Sequence, residues 1–281
     1  MKTLEFNNNI ATLDLSTLER TASYEMAKGG LPKNRPIEHF KLVTDLQSNI
    51  KKNTKLESKI DVIYTSERQT MQIMHNKADG ECPIEKYLLQ RVVTKLLISD
   101  ESKEFQAAVG VSYTDRGIQL VFGTHVNVCS NLMIWGPNFM STYGTNKVGF
   151  SIMMDAFDDW MKRFQEKRSK DMEIIEALQK RKVEENELFE VLGRLIHAAE
   201  KNNSLKSDDS SLNVSQTLRL IDNYENRDLT KKTVTAWDIT NWGTNNLKPD
   251  QDGGDLTSIY NTTHKFSNVI AKHLIPEINL N

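Results

Sequence analysis

Two hydrophobic periods take turns along the chain. After Pro36, apolar residues recur at three- and four-residue steps (Ile37, Phe40, Leu42/Val43, Leu46 and Ile50), which predicts an amphipathic helix. Lys51, Lys52 and Lys55 follow it, where cations complement the negative end of the helix macrodipole. The period then drops to two. Ile60, Val62 and Tyr64 alternate with Lys59, Asp61 and Thr65, and Met71 and Ile73 resume the alternation. Residues 91–99, with Val92, Val93, Leu96, Leu97 and Ile98, fit either a helix or a strand. Phe105, Ala107, Val109, Val111 and Tyr113 then alternate cleanly, and Thr114-Asp115-Arg116-Gly117 supplies a turn. Ile118, Leu120, Phe122, Val126 and Val128 keep the phase afterwards. This predicts an antiparallel hairpin with one buried face.

The longer period returns at Phe150. Met153/Met154, Phe157, Trp160/Met161 and Phe164 make a broad stripe opposite Asp155, Asp158 and Asp159, and one helix is expected to run on through Ile174, Ile175 and Leu178. Further helices are expected over residues 184–200, 212–224, 235–247 and 256–274, with polar breaks at 202–211 and 249–255. The first thirty residues read as an arm with local helix at Leu13, Leu15 and Leu18, closed by Gly29-Gly30-Leu31-Pro32. The predicted class is α+β: a small antiparallel sheet with an N-terminal helix, followed by a helical C-terminal half. The expected division is an arm at 1–30, a sheet domain at 31–149, and a helical domain at 150–281 packed on it.

Composition narrows the setting. A chain of 281 residues that is 38% hydrophobic and 26% charged, with net charge -2, has the length and the apolar content for a core and is no disordered or collagen-like polymer. No stretch approaches the ~20 apolar residues that span a bilayer. The segment Met1-Lys2-Thr3-Leu4-Glu5-Phe6 lacks the apolar centre of a signal peptide. Two cysteines, Cys82 and Cys129, make no disulfide framework. A cytoplasmic protein with no membrane contact is expected.

The sequence carries no nucleophile elbow, phosphate-binding glycine loop, zinc-protease helix or dinucleotide fingerprint. His125 and Cys129 share a strand face by spacing, but two ligands do not make a zinc site and a thiol–imidazole pair needs a third, orienting group. Asp250-Gln251-Asp252-Gly253-Gly254-Asp255 opens like a calcium loop, yet Asp255 stands where the glycine belongs and Asn261 where the closing glutamate belongs. It reads as an acidic turn with Asp255 capping the last helix. Asp155, Asp158 and Asp159 read as the solvated face of a helix, and a metal-dependent nuclease built on them is the least favoured function. No catalytic residue, metal or cofactor is assigned.

Charge is more informative. Residues 33–59 are basic, and beside strands bearing Tyr64, Phe105, Tyr113 and Phe122 they could form a groove for a phosphate backbone with stacked bases. Lys51, Lys52, Lys55, Lys59 and Arg116 are the candidate phosphate contacts, with Tyr64 and Tyr113 as stacking platforms. Trp237 and Trp242 are assigned to packing between helices or, more sharply, to an oligomer or partner contact.

Gly123-Thr124-His125-Val126-Asn127-Val128-Cys129-Ser130-Asn131-Leu132-Met133, a strand running into Cys-x-Asn ahead of a long helix, resembles the phage/plasmid-like family built on domain of unknown function nine-three-two. Thr235-Ala236-Trp237-Asp238-Ile239-Thr240-Asn241-Trp242 is similar to that family's C-terminal helix. Leu132 departs from the Gly or Thr that usually follows Cys-x-Asn. The order of elements is also similar to phage single-strand annealing proteins of the RecT and Erf kind, an analogy of fold alone. These resemblances imply a mobile-element origin and carry over no catalytic residue. The expected function is a non-enzymatic, homo-oligomeric protein that binds single-stranded DNA in replication or recombination. The alternative is an interaction protein that assembles on a host anti-phage defence complex and inhibits it.

Overall fold

The computed structural model describes residues 5, 10–23, 37–66, 70–72, 87–89, 91–99, 105–114, 117–126, 134–204, 214–226, 233–245 and 259–278. Cys82, Arg116, Cys129 and the acidic turn at 250–255 lie outside them.

The centre is a six-stranded antiparallel sheet. Its strands are β1 (Ile10–Thr12), β3 (Ser58–Ser66), β6 (Val92–Ile98), β7 (Phe105–Thr114), β8 (Gly117–Val126) and β9 (Trp135–Tyr143), in that spatial order. A small second sheet joins β2 (Ala22–Ser23), β5 (Tyr87–Leu89) and β4 (Thr70–Gln72). The hairpin is the β7/β8 pair, in register from Phe105 opposite Val126 to Thr114 opposite Gly117. The ambiguous run at 92–98 is a strand, and every residue in it is buried. The chain is α+β.

Both faces of the sheet are covered, which corrects the expectation of one buried face. Odd-numbered residues of β7 (Ala107, Val109, Val111 and Tyr113) lie under α2 (His39–Thr54) and α3 (Lys147–Lys162), whose Leu42, Leu46, Ile50, Met153 and Phe157 complete this core. On the other face, Val93, Leu97, Ala108, Val121 and Ile134 pack around Tyr260 from α8 (Ile259–Leu274). Tyr260 can lie there because Gly110 has no side chain: a Cβ at that position would come within 2.6 Å of the ring. The Tyr260 hydroxyl donates to the Thr94 carbonyl at 3.0 Å.

Two further expectations are corrected. Residues 10–23 do not stand off as an arm: Ile10–Thr12 pairs with β3, and Ala11, Leu13 and Leu18 are buried, the last in α1 (Leu15–Arg20). The helix starting near Phe150 does not run through to Leu178. It breaks at Arg163, whose N–H donates to the Trp160 carbonyl at 3.1 Å, and α4 (Phe164–Lys180) starts at the next residue. Trp160 and Phe164, four residues apart across this break, both touch Phe122, at ring separations of 4.8 and 6.0 Å. Farther along α4, the buried Arg168 donates to the Thr124 hydroxyl at 2.9 Å and to the Phe105 carbonyl, clamping the helix to the sheet.

The helical half has its own core. α4 packs with α5 (Glu185–Ser204), α6 (Val214–Glu225), α7 (Ala236–Asn245) and α8 around Ile174, Leu192, Leu220, Ile239, Phe266 and Ile270. A two-strand clasp, β10 (Lys182–Val183) on β11 (Val234–Thr235), fixes the entry to α7. The start of α7 is a reciprocal cap: the Asp238 N–H donates to the Thr235 hydroxyl at 3.2 Å, and the Thr235 N–H to the Asp238 carboxylate at 2.9 Å. Thr235→Ala is expected to lower stability by about 1 kcal/mol in urea unfolding, the usual cost of a lost N-cap. An unchanged midpoint would show that the clasp alone holds this helix end.

Candidate nucleic-acid interface

The lysine cluster forms where α2 stops. Lys55 takes a left-handed conformation (φ 62°) and its N–H closes on the Lys51 carbonyl, so Lys51, Lys52 and Lys55 crowd the negative end of the helix. Each side chain is engaged. The Lys51 ammonium lies 2.6 Å from Glu57, Lys52 lies 3.4 Å from Asp158, and the Lys55 Nζ donates to the Lys52 carbonyl at 3.0 Å. Lys51 and Lys52 are nonetheless 66% and 72% exposed, which matters because exposed pairs hold by only about 0–1 kcal/mol and give way to a competing anion.

Asp158 organises this end. It accepts from Asn49 at 3.1 Å, from Asn53 at 2.8 Å and from Lys162 at 2.7 Å, tying α3 to α2. The Lys162 ammonium, then the Asn53 amide, hold its carboxyl well below the usual carboxylate range, and Asp158 in turn raises the Lys162 ammonium. The solvated-face reading therefore fails for Asp158, whose side chain is 19% exposed and turned to α2. Asp159 is exposed and, among the described residues, pairs with Lys162 at 3.4 Å. Among the described residues, no group of histidines, cysteines and carboxylates is placed to hold a metal ion.

The structure does not assemble the rest of the predicted groove. Lys59 and Tyr64 stand opposite Leu97 and Val93, on the sheet face away from α2. Tyr113 is 1% exposed: its hydroxyl donates to the Ile37 carbonyl at 2.8 Å and its ring meets His39 edge-on at 4.2 Å. It cannot stack on a base, because its face is spent inside the core. Arg116 lies outside the described residues. Trp237 is buried against Phe105, with ring centroids 5.7 Å apart, and is withdrawn as an oligomer contact. Trp242 is half-buried and meets Tyr224 at 6.4 Å.

Two clusters escaped the sequence reading. Lys95 sits in the apolar run at 92–98, yet its buried side chain pairs with Asp61 at 2.7 Å and lies 3.4 Å from His125 Nδ1. His125 thus meets Lys95 on the sheet's second face, where spacing had paired it with Cys129. The other is a row of rings, Phe189, Tyr224 and Trp242, contributed by three different helices. Only a charged residue inside an apolar run hinted at the first, and nothing local marks the second.

Compared with models of protein families, with curated proteins and with solved structures, the chain matches none. No described helix is long and apolar enough to cross a membrane.

Proposed function

We propose that this is a non-enzymatic cytoplasmic protein that binds single-stranded nucleic acid during replication or recombination of a phage or plasmid. The observation that carries the reading is the end of α2, where Lys51 and Lys52 hold mostly exposed ammonium groups in pairs with Glu57 and Asp158, with the exposed Lys55 and Lys162 beside them. A phosphate backbone would replace Glu57 and Asp158 as their counter-charge. The mobile-element setting rests on the resemblance at residues 123–133 and 235–242.

The test is fluorescence anisotropy of a labelled ~40-nucleotide strand at several salt concentrations, with wild type and with Lys51, Lys52 and Lys55 all changed to Glu. Wild-type affinity should fall as salt rises. The triple variant should lose binding, and neutral Gln replacements should reduce the log–log salt slope by about 2, since each single-strand phosphate contact contributes about 0.7. Equal affinities for wild type and the Glu variant would retire this assignment. A second reading, an interaction protein that assembles on a host defence complex, is favoured by the exposed ring of Phe189. It predicts that the strand is ignored at every salt.

A further inference from the structure

The helical half presents an aromatic row on its surface. Phe189 from α5 is 48% exposed and meets Tyr224 of α6 at 6.2 Å, and Tyr224 meets Trp242 of α7 at 6.4 Å. All contacts are edge-on, so the rings form a connected strip. One carboxylate touches the strip, and others are exposed on the same helices. Glu185 lies one helical turn before Phe189 and accepts the Tyr224 hydroxyl at 2.8 Å, and exposed Glu225 follows Tyr224 directly. Glu190 is exposed as well, opposed by Arg194 at 2.7 Å.

This chemistry discriminates between partners. Carboxylates beside stacking rings repel a phosphate backbone, so the strip is unsuited to nucleic acid. It fits a cationic protein surface, whose ammonium groups meet the carboxylates while their aliphatic stems lie on the rings. The chain itself carries such a surface at the end of α2, where Lys51 and Lys52 are mostly exposed. We propose that the Phe189–Tyr224–Trp242 strip docks the lysine-bearing end of α2 from a second copy of this chain. Because the two surfaces differ, the contact is head-to-tail, and copies add in a row wherever the geometry leaves a free end. Lysines engaged this way are withheld from phosphate, so assembly and nucleic-acid binding compete. The proposal stands without the nucleic-acid reading and is tested without DNA.

The experiment is sedimentation velocity of wild type over a concentration series at about 50 and about 300 mM salt, beside two charge-reversed variants. One is Glu185→Lys with Glu225→Lys; the other is Lys51→Glu with Lys55→Glu. Circular dichroism verifies folding, and Phe189→Ser, at an exposed position, supplies a variant that keeps every charge. Wild type is expected to self-associate at the lower salt and to weaken about tenfold or more at the higher. Each reversed variant should be monomeric, an equimolar mixture of the two should associate again, and Phe189→Ser should weaken association. A wild type that is monomeric throughout, a mixture that stays monomeric, or full association by Phe189→Ser overturns the proposal.

Discussion

Acidification from neutral to pH 4 is expected to remove about 3 kcal/mol of folding stability through His39 alone, at 1.4 kcal/mol per pKa unit. His39 opens α2 and is fully enclosed. Its Nε2–H donates to the Leu89 carbonyl at 3.1 Å, while Nδ1 has no hydrogen-bond partner among the described residues. A second proton would place an unpaired charge among apolar neighbours, so burial lowers the imidazole from 6.5 to about 4 despite the bond to Leu89. The unfolded chain takes up a proton below about 6.5 and the folded chain does not. Stability is therefore complete above that pH, falls between about 6.5 and 4, and levels off below. Asp158, Glu187 and Glu190 also have lowered values, but their loss starts from ordinary carboxylate values near 4 and belongs to lower pH. Urea unfolding at intervals from pH 7.5 to 5 isolates the histidine. His39→Phe should flatten this part of the profile; a slope that persists in the variant would assign it to another group.

Gly243→Ala should cost about 3 kcal/mol, the upper range for overpacking, and is the second large effect. On an isolated helix this change stabilises by nearly 1 kcal/mol, because glycine is the poorer helix former. Here α7 crosses α8 at Gly243, and an added Cβ would land on the ring of Phe266, which is fully buried. The clash outweighs the propensity. Phe266→Leu would leave space, so the double variant should lose less than the two single losses summed. Strict additivity in denaturant unfolding would mean that the helices simply slide apart to admit the methyl group.

What the sequence revealed followed from how local each signal is. Alternation over 105–122 identified the hairpin because the face under α2 and α3 takes large apolar residues such as Val109, Val111, Leu120 and Phe122, while the second face, though buried too, takes small or polar ones such as Ala108, Gly110 and Ser112. β9 left no such trace: Trp135-Gly136-Pro137-Asn138 does not alternate, and a proline argues against a strand. Pro137 is tolerated because β9 ends the strand order of the described residues, with β8 as its partner there, where an absent N–H need not break a ladder. Ile10–Thr12 is too short to show a period. The break at Arg163 is invisible because the apolar stripe continues across it.

The candidate interface was partly legible for a related reason. Lysines at a helix end are exposed wherever the helix packs, so Lys51, Lys52 and Lys55 were identifiable from position alone. Whether Tyr64 and Tyr113 join them depends on which sheet face each takes and what covers it. The alternation that placed Tyr113 in phase with Val109 and Val111 already assigned it to the core, and its hydroxyl serves the entry to α2. The partners of Asp158 on α2 are more than a hundred residues away in the chain, beyond any local pattern.

The first turn of α8 delivers Tyr260 to the second face of the sheet, and its later turns deliver Phe266, Ile270 and Leu274 to the helical core. One rigid rod thus belongs to two hydrophobic interiors. Melting the helical core withdraws the cover from the strands, and disturbing the sheet removes the seat of Tyr260. The two halves share their cooperativity through this rod, so a fragment ending before α8 would forfeit part of the sheet's protection along with the helices it was meant to leave out.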